Sequence, residues 1–169
     1  MTCRYVCLIT IVAIVTTVSV DTGAQELGGI YVEVLDQTGQ PITDLTPEDF
    51  TIIGENIHAT RVVLRNGRRA LTLDDGTEAM PFQDENGNKR YLTVPDWFKK
   101  TQPYEQGHIK HFLIAMMKGI SEDTAEQDEG KAYVQFEAMR QVKAGAQYLD
   151  VNVDEVHYDV EIQKRCMKW

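Results

Sequence analysis

The stretch FEAMRQVKAGAQYLDVNVDE, residues 136–155, passes from a helical pattern through a glycine into a strand pattern. Over residues 131–144, apolar side chains recur at the three- and four-residue spacing of one face of an amphipathic helix. These side chains belong to Ala132, Phe136, Met139 and Val142. Gly145 suits the left-handed cap that commonly ends a helix. The pattern therefore predicts a helix that ends at Gly145 and is followed by a strand.

Residues 147–153 alternate between aliphatic and polar or aromatic side chains, which is typical of a strand. Because successive side chains of a strand point to opposite faces, Asp150 and Asn152 share one face. The aliphatic face would then pack under helices. In a barrel of parallel strands, the polar pair would lie at the carboxyl end, where this fold places its chemistry.

A second strand pattern, TIIGENIH, occupies residues 51–58. Together with residues 142–155, it resembles the first strand, first helix and second strand of the pterin-binding TIM barrels. That family includes dihydropteroate synthase and the corrinoid-dependent methyltetrahydrofolate methyltransferases of one-carbon metabolism. The run VKAGAQYLDVNVDE is closer to the methyltransferase branch, because dihydropteroate synthases usually carry glycines and E-S-T-R-P after the aspartate.

The resemblance implies roles for three residues in binding a tetrahydrofolate-type pterin. Asp150 would accept hydrogen bonds from the N–H edge of the ring, since a carboxylate can accept from two such donors. Asn152 would add a second contact, and Asn56 matches an asparagine near the pterin or its phosphate-bearing partner. A corrinoid (cobalamin) protein would be the partner, and no catalytic residue is assigned. The alternative is that these residues are the polar ends of ordinary strands.

The resemblance also implies an incomplete (β/α)8 barrel. Such a barrel takes about 250 residues, and this chain has 169. We therefore expect residues 51–169 to hold only the first barrel strands and helices. Such a fragment would be inactive until another chain completed it, and a second copy of this chain is one candidate.

The N-terminal part predicts export instead. Residues 1–24 combine one arginine, a run of apolar and hydroxyl side chains, and Thr22-Gly23-Ala24 as a cleavage region. This order is typical of a signal peptide, and its removal would leave no stable membrane span. A retained membrane anchor is the alternative. A periplasmic or secreted location conflicts with the cytoplasmic location that the pterin-binding family implies.

Residues 25–50 predict a short β segment with a turn at residues 36–41. The segment resembles the start of bacterial envelope proteins related to von Willebrand A domains, although the D-x-S-x-S metal motif of those domains is absent. The matching residues are Val32, Val34, Asp36, Gly39, Pro41, Asp44, Leu45, Asp49 and Phe50. This resemblance keeps two further hypotheses open, an exported interaction protein and a chimeric reading frame without activity.

The stretch between the two barrel-like runs predicts an insertion at about residues 66–106. Short strands at 70–73 and 90–94 are separated by the turn signals Asp75-Gly76 and Asn86-Gly87. A short helix should follow at residues 95–98, with its aromatic side chains, Trp97 and Phe98, buried. We interpret this insertion as a β-hairpin cap over the barrel mouth. Helices are also predicted at residues 107–119 and 156–169.

Charge limits the classes of partner. A formal charge of −9 excludes a nucleic-acid surface, which needs clustered Lys and Arg. We expect the acidic residues at 121–129 to lie in solvated loops. The arginines at 65, 68 and 69 are expected in a solvated basic loop, and a phosphate or polyglutamate site is the alternative.

Histidines and cysteines give weaker signals. His108 and His111 are expected to be ordinary surface residues, although their spacing also allows a metal pair. His58 is a candidate general acid because of its position near the barrel mouth. The three cysteines lack the spacing of a zinc site.

Overall fold

A computed structural model describes residues 35, 38–55 and 57–169. The predicted signal peptide, the strand predicted before Leu35, and Asn56 lie outside the described residues. The chain divides into two compact units, Met1–Phe50 and Thr51–Trp169. In the first unit, Leu35 and Pro41 form an antiparallel bridge and Gly39 adopts a φ of 81°. This confirms the predicted turn, and a 3₁₀ helix follows at Pro47–Asp49.

The second unit is a mixed α/β structure with three small sheets. A parallel pair joins β1 to β7, an antiparallel pair joins β2 to β6, and β3, β4 and β5 form an antiparallel meander. Within the described residues these sheets do not close into a barrel. The elements are β1 Ile57–His58, β2 Val63–Leu64, β3 Leu71–Thr72, β4 Glu78–Gln83, β5 Lys89–Thr93, α1 Asp96–Lys99, α2 Gln102–Glu105, β6 His108–Ile109, α3 His111–Gly119, α4 Thr124–Lys143, β7 Val151–Asn152 and α5 Val160–Lys168.

The predicted β-hairpin is in fact a three-stranded meander. Both turn predictions are confirmed, with Gly76 and Gly87 at positive φ. The sequence did not indicate β4, because Pro81 in its middle argues against a strand. Proline is tolerated there because β3 pairs with β4 only at Glu78 and Ala79. Pro81 lies beyond that pairing and is matched only with Tyr91 of β5.

Helix α4 corrects two predictions. It begins at Thr124, and Asp123 caps it by accepting a hydrogen bond from the Ala125 N–H at 2.8 Å. Much of the acidic run expected in solvated loops therefore forms the first turns of α4, where negative charge complements the helix dipole. The predicted apolar stripe is confirmed only in part, since Ala132 and Phe136 pack half-buried against the core but Met139 and Val142 are 51% and 45% exposed. The fully buried face of α4 carries Gly130, Tyr133, Glu137 and Gln141.

Close packing of α3 against α4 explains which face of α4 is buried. A Cβ atom at Gly130 would lie 2.4 Å from the Ala115 carbonyl oxygen, so the helix backbones approach too closely for a side chain there. This contact turns Tyr133 inward, where its ring meets that of Phe82 edge-on with centroids 5.3 Å apart. The meander and α4 therefore share one core.

The predicted short helix after β5 is confirmed as α1. Of its two aromatic residues, which were both predicted to be buried, only one is. Phe98 is fully buried, as predicted. Trp97 is 44% exposed, so its predicted burial is wrong. The two rings meet edge-on, and only Phe98 points into the core. The helices predicted at residues 107–119 and 156–169 correspond to α3 and α5, and both begin later than predicted.

Candidate functional site

The parallel strand pair brings together the two stretches of sequence that carried the pterin-binding resemblance. The Gly54 N–H donates to the Tyr148 carbonyl at 2.8 Å, and the Ile57 N–H donates to the Asp150 carbonyl at 2.7 Å. In register, Ile57 lies opposite Val151 and His58 opposite Asn152. Because the strands are parallel, their carboxyl ends lie at the same edge. We call this edge, formed by residues 58–60 and 152–154, the carboxyl edge.

Of the predicted site residues, Asn152 lies in β7 at this edge, and Asp150 lies just before the strand. Asp150 is exposed, which leaves its carboxylate accessible. Asn152 is half-buried, and its Oδ1 accepts a hydrogen bond from the Asp154 N–H at 2.8 Å. With Oδ1 engaged, the amide group of Asn152 is oriented and its NH₂ can donate. The third predicted residue, Asn56, lies outside the described residues.

His58 is a further polar residue at the carboxyl edge. It is half-buried, and its Nδ1 accepts a hydrogen bond from the Thr60 N–H at 3.0 Å. An imidazole that accepts at Nδ1 carries its proton on Nε2 when neutral. The structure therefore holds this ring in one orientation beside Asn152, and its role as a general acid stays a prediction.

A buried polar network, which the sequence did not indicate, lies on the inner face of α4. Glu137 is almost fully buried and forms ion pairs with Arg69 and Arg140. Arg69 also donates to the Tyr133 hydroxyl at 3.3 Å, and that hydroxyl lies 3.0 Å from His111 Nδ1. Because arginine can only donate, the Tyr133 hydrogen is free to reach His111. The signal available in the sequence was the four-residue spacing of Tyr133, Glu137 and Gln141.

Burial holds the two aromatic members of this network in their neutral forms. Burial is the largest cause that lowers the pKa of His111 from 6.5 to about 3, and the nearby charges of Arg69, Arg61 and Arg140 contribute to the same shift. Burial also raises the pKa of Tyr133, and the Glu137 carboxylate adds to this effect. At neutral pH, His111 is therefore an uncharged acceptor and Tyr133 a hydroxyl donor.

The network reaches the strand pair through Glu55. Its carboxylate lies 3.1 Å from Arg61 Nη2 and 3.6 Å from Arg140 Nη2, so Arg140 bridges Glu55 and Glu137. Glu55 and its two arginine partners are all exposed. This end of the network is consequently a solvated charge cluster beside β1, whereas its other end is enclosed by α3 and α4.

Two of the three arginines in the predicted basic loop are paired with carboxylates. Arg65 donates to Glu78 at 2.7 and 3.0 Å and stacks over the Tyr104 ring at 4.0 Å, while the Tyr104 hydroxyl also bonds Glu78. Arg69 pairs with Glu137. A shallow groove of about 390 Å³ runs beside Arg65. None of its lining residues belongs to β1 or β7, so the groove is separate from the carboxyl edge.

The two histidines considered as a metal pair lie in different environments. His111 is buried and hydrogen-bonded to Tyr133, so the prediction that it is an ordinary surface residue is wrong. His108 is half-buried in β6. Among the residues that the structure describes, no three His, Cys, Asp or Glu side chains are grouped as a metal site requires.

Comparisons with known proteins give no relative: no family model, no curated protein and no solved structure matches the chain. Within the described ranges, the helices fall short of the length and apolarity that a membrane span needs. The candidate site is consequently defined by the residues at the carboxyl edge and by their geometry.

Proposed function

We propose that this chain binds a pterin of the methyltetrahydrofolate type at the carboxyl edge of β1 and β7. The observation that supports the proposal is the parallel pairing of these strands, with α4 immediately preceding β7. A strand, a helix and a parallel strand are the repeating unit of a (β/α)8 barrel. In this proposal, residues 51–169 form the opening part of such a barrel, with the meander inserted after β1.

The chemistry of the edge suits one side of a pterin ring. That side presents adjacent N–H donors, and the exposed Asp150 carboxylate can accept from two of them. Asn152 would then donate through its amide NH₂ to a ring nitrogen or carbonyl oxygen, since its Oδ1 is already engaged with Asp154. Complementary donors and acceptors of this kind fix the orientation of a flat ligand.

The wider function follows as part of the same proposal. A bound methyltetrahydrofolate would serve as the methyl donor of a methyltransferase, with a corrinoid protein as the methyl acceptor. The remaining contacts to the ring would come from further strands of such a barrel. A dihydropteroate synthase activity is less well supported, because the residues after Asp150 do not follow that branch.

Calorimetry of the full chain with methyltetrahydrofolate tests the proposal. We expect binding that weakens by about 10- to 100-fold in Asp150→Asn, since hydrogen bonds to a charged acceptor are worth about 1.5–3 kcal/mol. Asp74→Asn is the matched control, because it removes the same charge from an exposed loop of the meander. Absence of binding by the unaltered chain would overturn the proposal, as would equal affinities for Asp150→Asn and the unaltered chain.

A further inference from the structure

An exposed aromatic pair follows β7 directly. Tyr158 is 93% exposed, the highest value among the large exposed hydrophobic residues of the described chain. Its ring stacks on that of His157, with centroids 4.2 Å apart and ring planes 29° apart. Aromatic rings in folded proteins usually bury most of their surface, so a ring presented to water in this way is suited to contact a ligand.

Hydrogen bonds order the loop that carries this pair. The Gln163 side-chain amide donates to the carbonyl oxygens of Asp154 and His157, both at 2.7 Å. The Asp159 N–H donates to His157 Nδ1 at 3.0 Å, which fixes the imidazole ring under Tyr158. The stacked pair is therefore held in place before any ligand arrives, and a preorganised surface loses less entropy on binding.

The same loop is joined to the candidate pterin site. It begins at the Asp154 N–H, which donates to the Asn152 side chain. Asp150, Asn152 and the aromatic pair thus lie within residues 150–158, and hydrogen bonds order the part of this segment that follows β7. A ligand held at its edge by Asp150 and Asn152 would extend from the carboxyl edge, where this loop also begins.

We propose that His157 and Tyr158 form a stacking platform for the flat face of the pterin ring, while Asp150 binds its polar edge. This inference rests on the proposed function and adds a second set of contacts. The pyrimidine half of a tetrahydropterin is flat and conjugated, so it can stack on an aromatic side chain whatever tail the reduced half carries. The platform therefore recognises the pterin itself rather than the benzoylglutamate tail of a folate.

The test uses the full chain and two probes, methyltetrahydrofolate and 6-methyltetrahydropterin, which keeps the reduced ring system but lacks the tail. Tyr158→Ala should weaken binding of both probes by about tenfold, because loss of one stacking partner typically costs this much. Tyr158→Phe keeps the ring and should bind both probes within about twofold of the unaltered chain. A far-ultraviolet circular dichroism spectrum checks that each variant keeps its fold.

Trp97→Ala is the matched control, because Trp97 is also an exposed aromatic residue but lies in α1, outside the segment that carries the proposed site. It should bind both probes as the unaltered chain does. If Tyr158→Ala also binds normally while Asp150→Asn does not, the platform is overturned and the pterin site stands. If the unaltered chain binds neither probe, the pterin site is overturned and the platform with it.

Discussion

The meander and the parallel strand pair, two sheets of the same unit, differ in how completely they are covered. In the meander, the side chains of Ala79, Met80 and Leu92 are fully buried. Just before the strand pair, Ile53 and Tyr148 form a parallel bridge, and they are 65% and 66% exposed. The meander gains its stability from packing against α4, whereas one part of the strand pair faces solvent.

The two regions are therefore expected to have different roles, one in the stability of the unit and the other in ligand binding. The residues that hold the unit together lie where the meander meets α3 and α4, and the polar network of Glu137 lies on that same inner face. The accessible carboxylate of Asp150 and the exposed ring of Tyr158 lie on either side of the carboxyl edge along the chain. Substitutions in the first region should therefore change folding, and substitutions in the second should change ligand binding.

The largest expected effect comes from the packing of the meander. Phe82 is buried between the rings of Tyr133 and Phe136, with centroid distances of 5.3 and 5.7 Å. We expect Phe82→Ala to lower the free energy of unfolding by about 3–5 kcal/mol, because it removes a buried ring and leaves a cavity. Ile53→Ala in the strand pair should lower it by less than about 0.5 kcal/mol. Urea unfolding curves measure both, and similar losses would contradict the comparison.

The second effect concerns the buried carboxylate of α4. Replacing both Arg69 and Arg140 with methionine would leave Glu137 charged, buried and without its ion-pair partners. We expect this double variant to lose about 3 kcal/mol of stability at pH 7, within the range for breaking a buried ion pair. Adding Glu137→Gln should recover part of the loss, since a neutral amide needs no counter-charge. Thermal unfolding of both variants is the measurement, and no recovery would show that the arginines act through packing alone.

A smaller effect should appear in the pH dependence of stability. Because folding lowers the pKa of His111 from 6.5 to about 3, the folded state resists its protonation. The stabilisation from the neutral ring is fully present above pH 6.5 and is lost as the pH falls toward about 3. The loss is at most about 1.4 kcal/mol for each pH unit. Urea unfolding at pH 7, 6 and 5 should show a flatter profile for His111→Gln than for the unaltered chain. Parallel profiles would contradict this assignment.

The sequence was informative where structure depends on a few neighbouring residues. The turns at Gly76 and Gly87, the short helix after Pro95 and the glycine that follows α4 all have local signals, and each is confirmed. The sequence was misleading on α4, where hydrophobic spacing selected the stripe with Met139 and Val142. These two side chains are exposed, whereas Gly130 allows α3 to approach a different face of the helix.

The sequence by itself determined the local elements of this protein, since capping, turn geometry and side-chain alternation act over a few residues. Tertiary structure alone decided which strands pair, which face of α4 is buried and how Glu137 is neutralised. Arg69, which neutralises it, lies 68 positions earlier in the chain. A contact at that separation depends on the packing of the whole unit, because burial of a charge is stable only where a partner arrives with it.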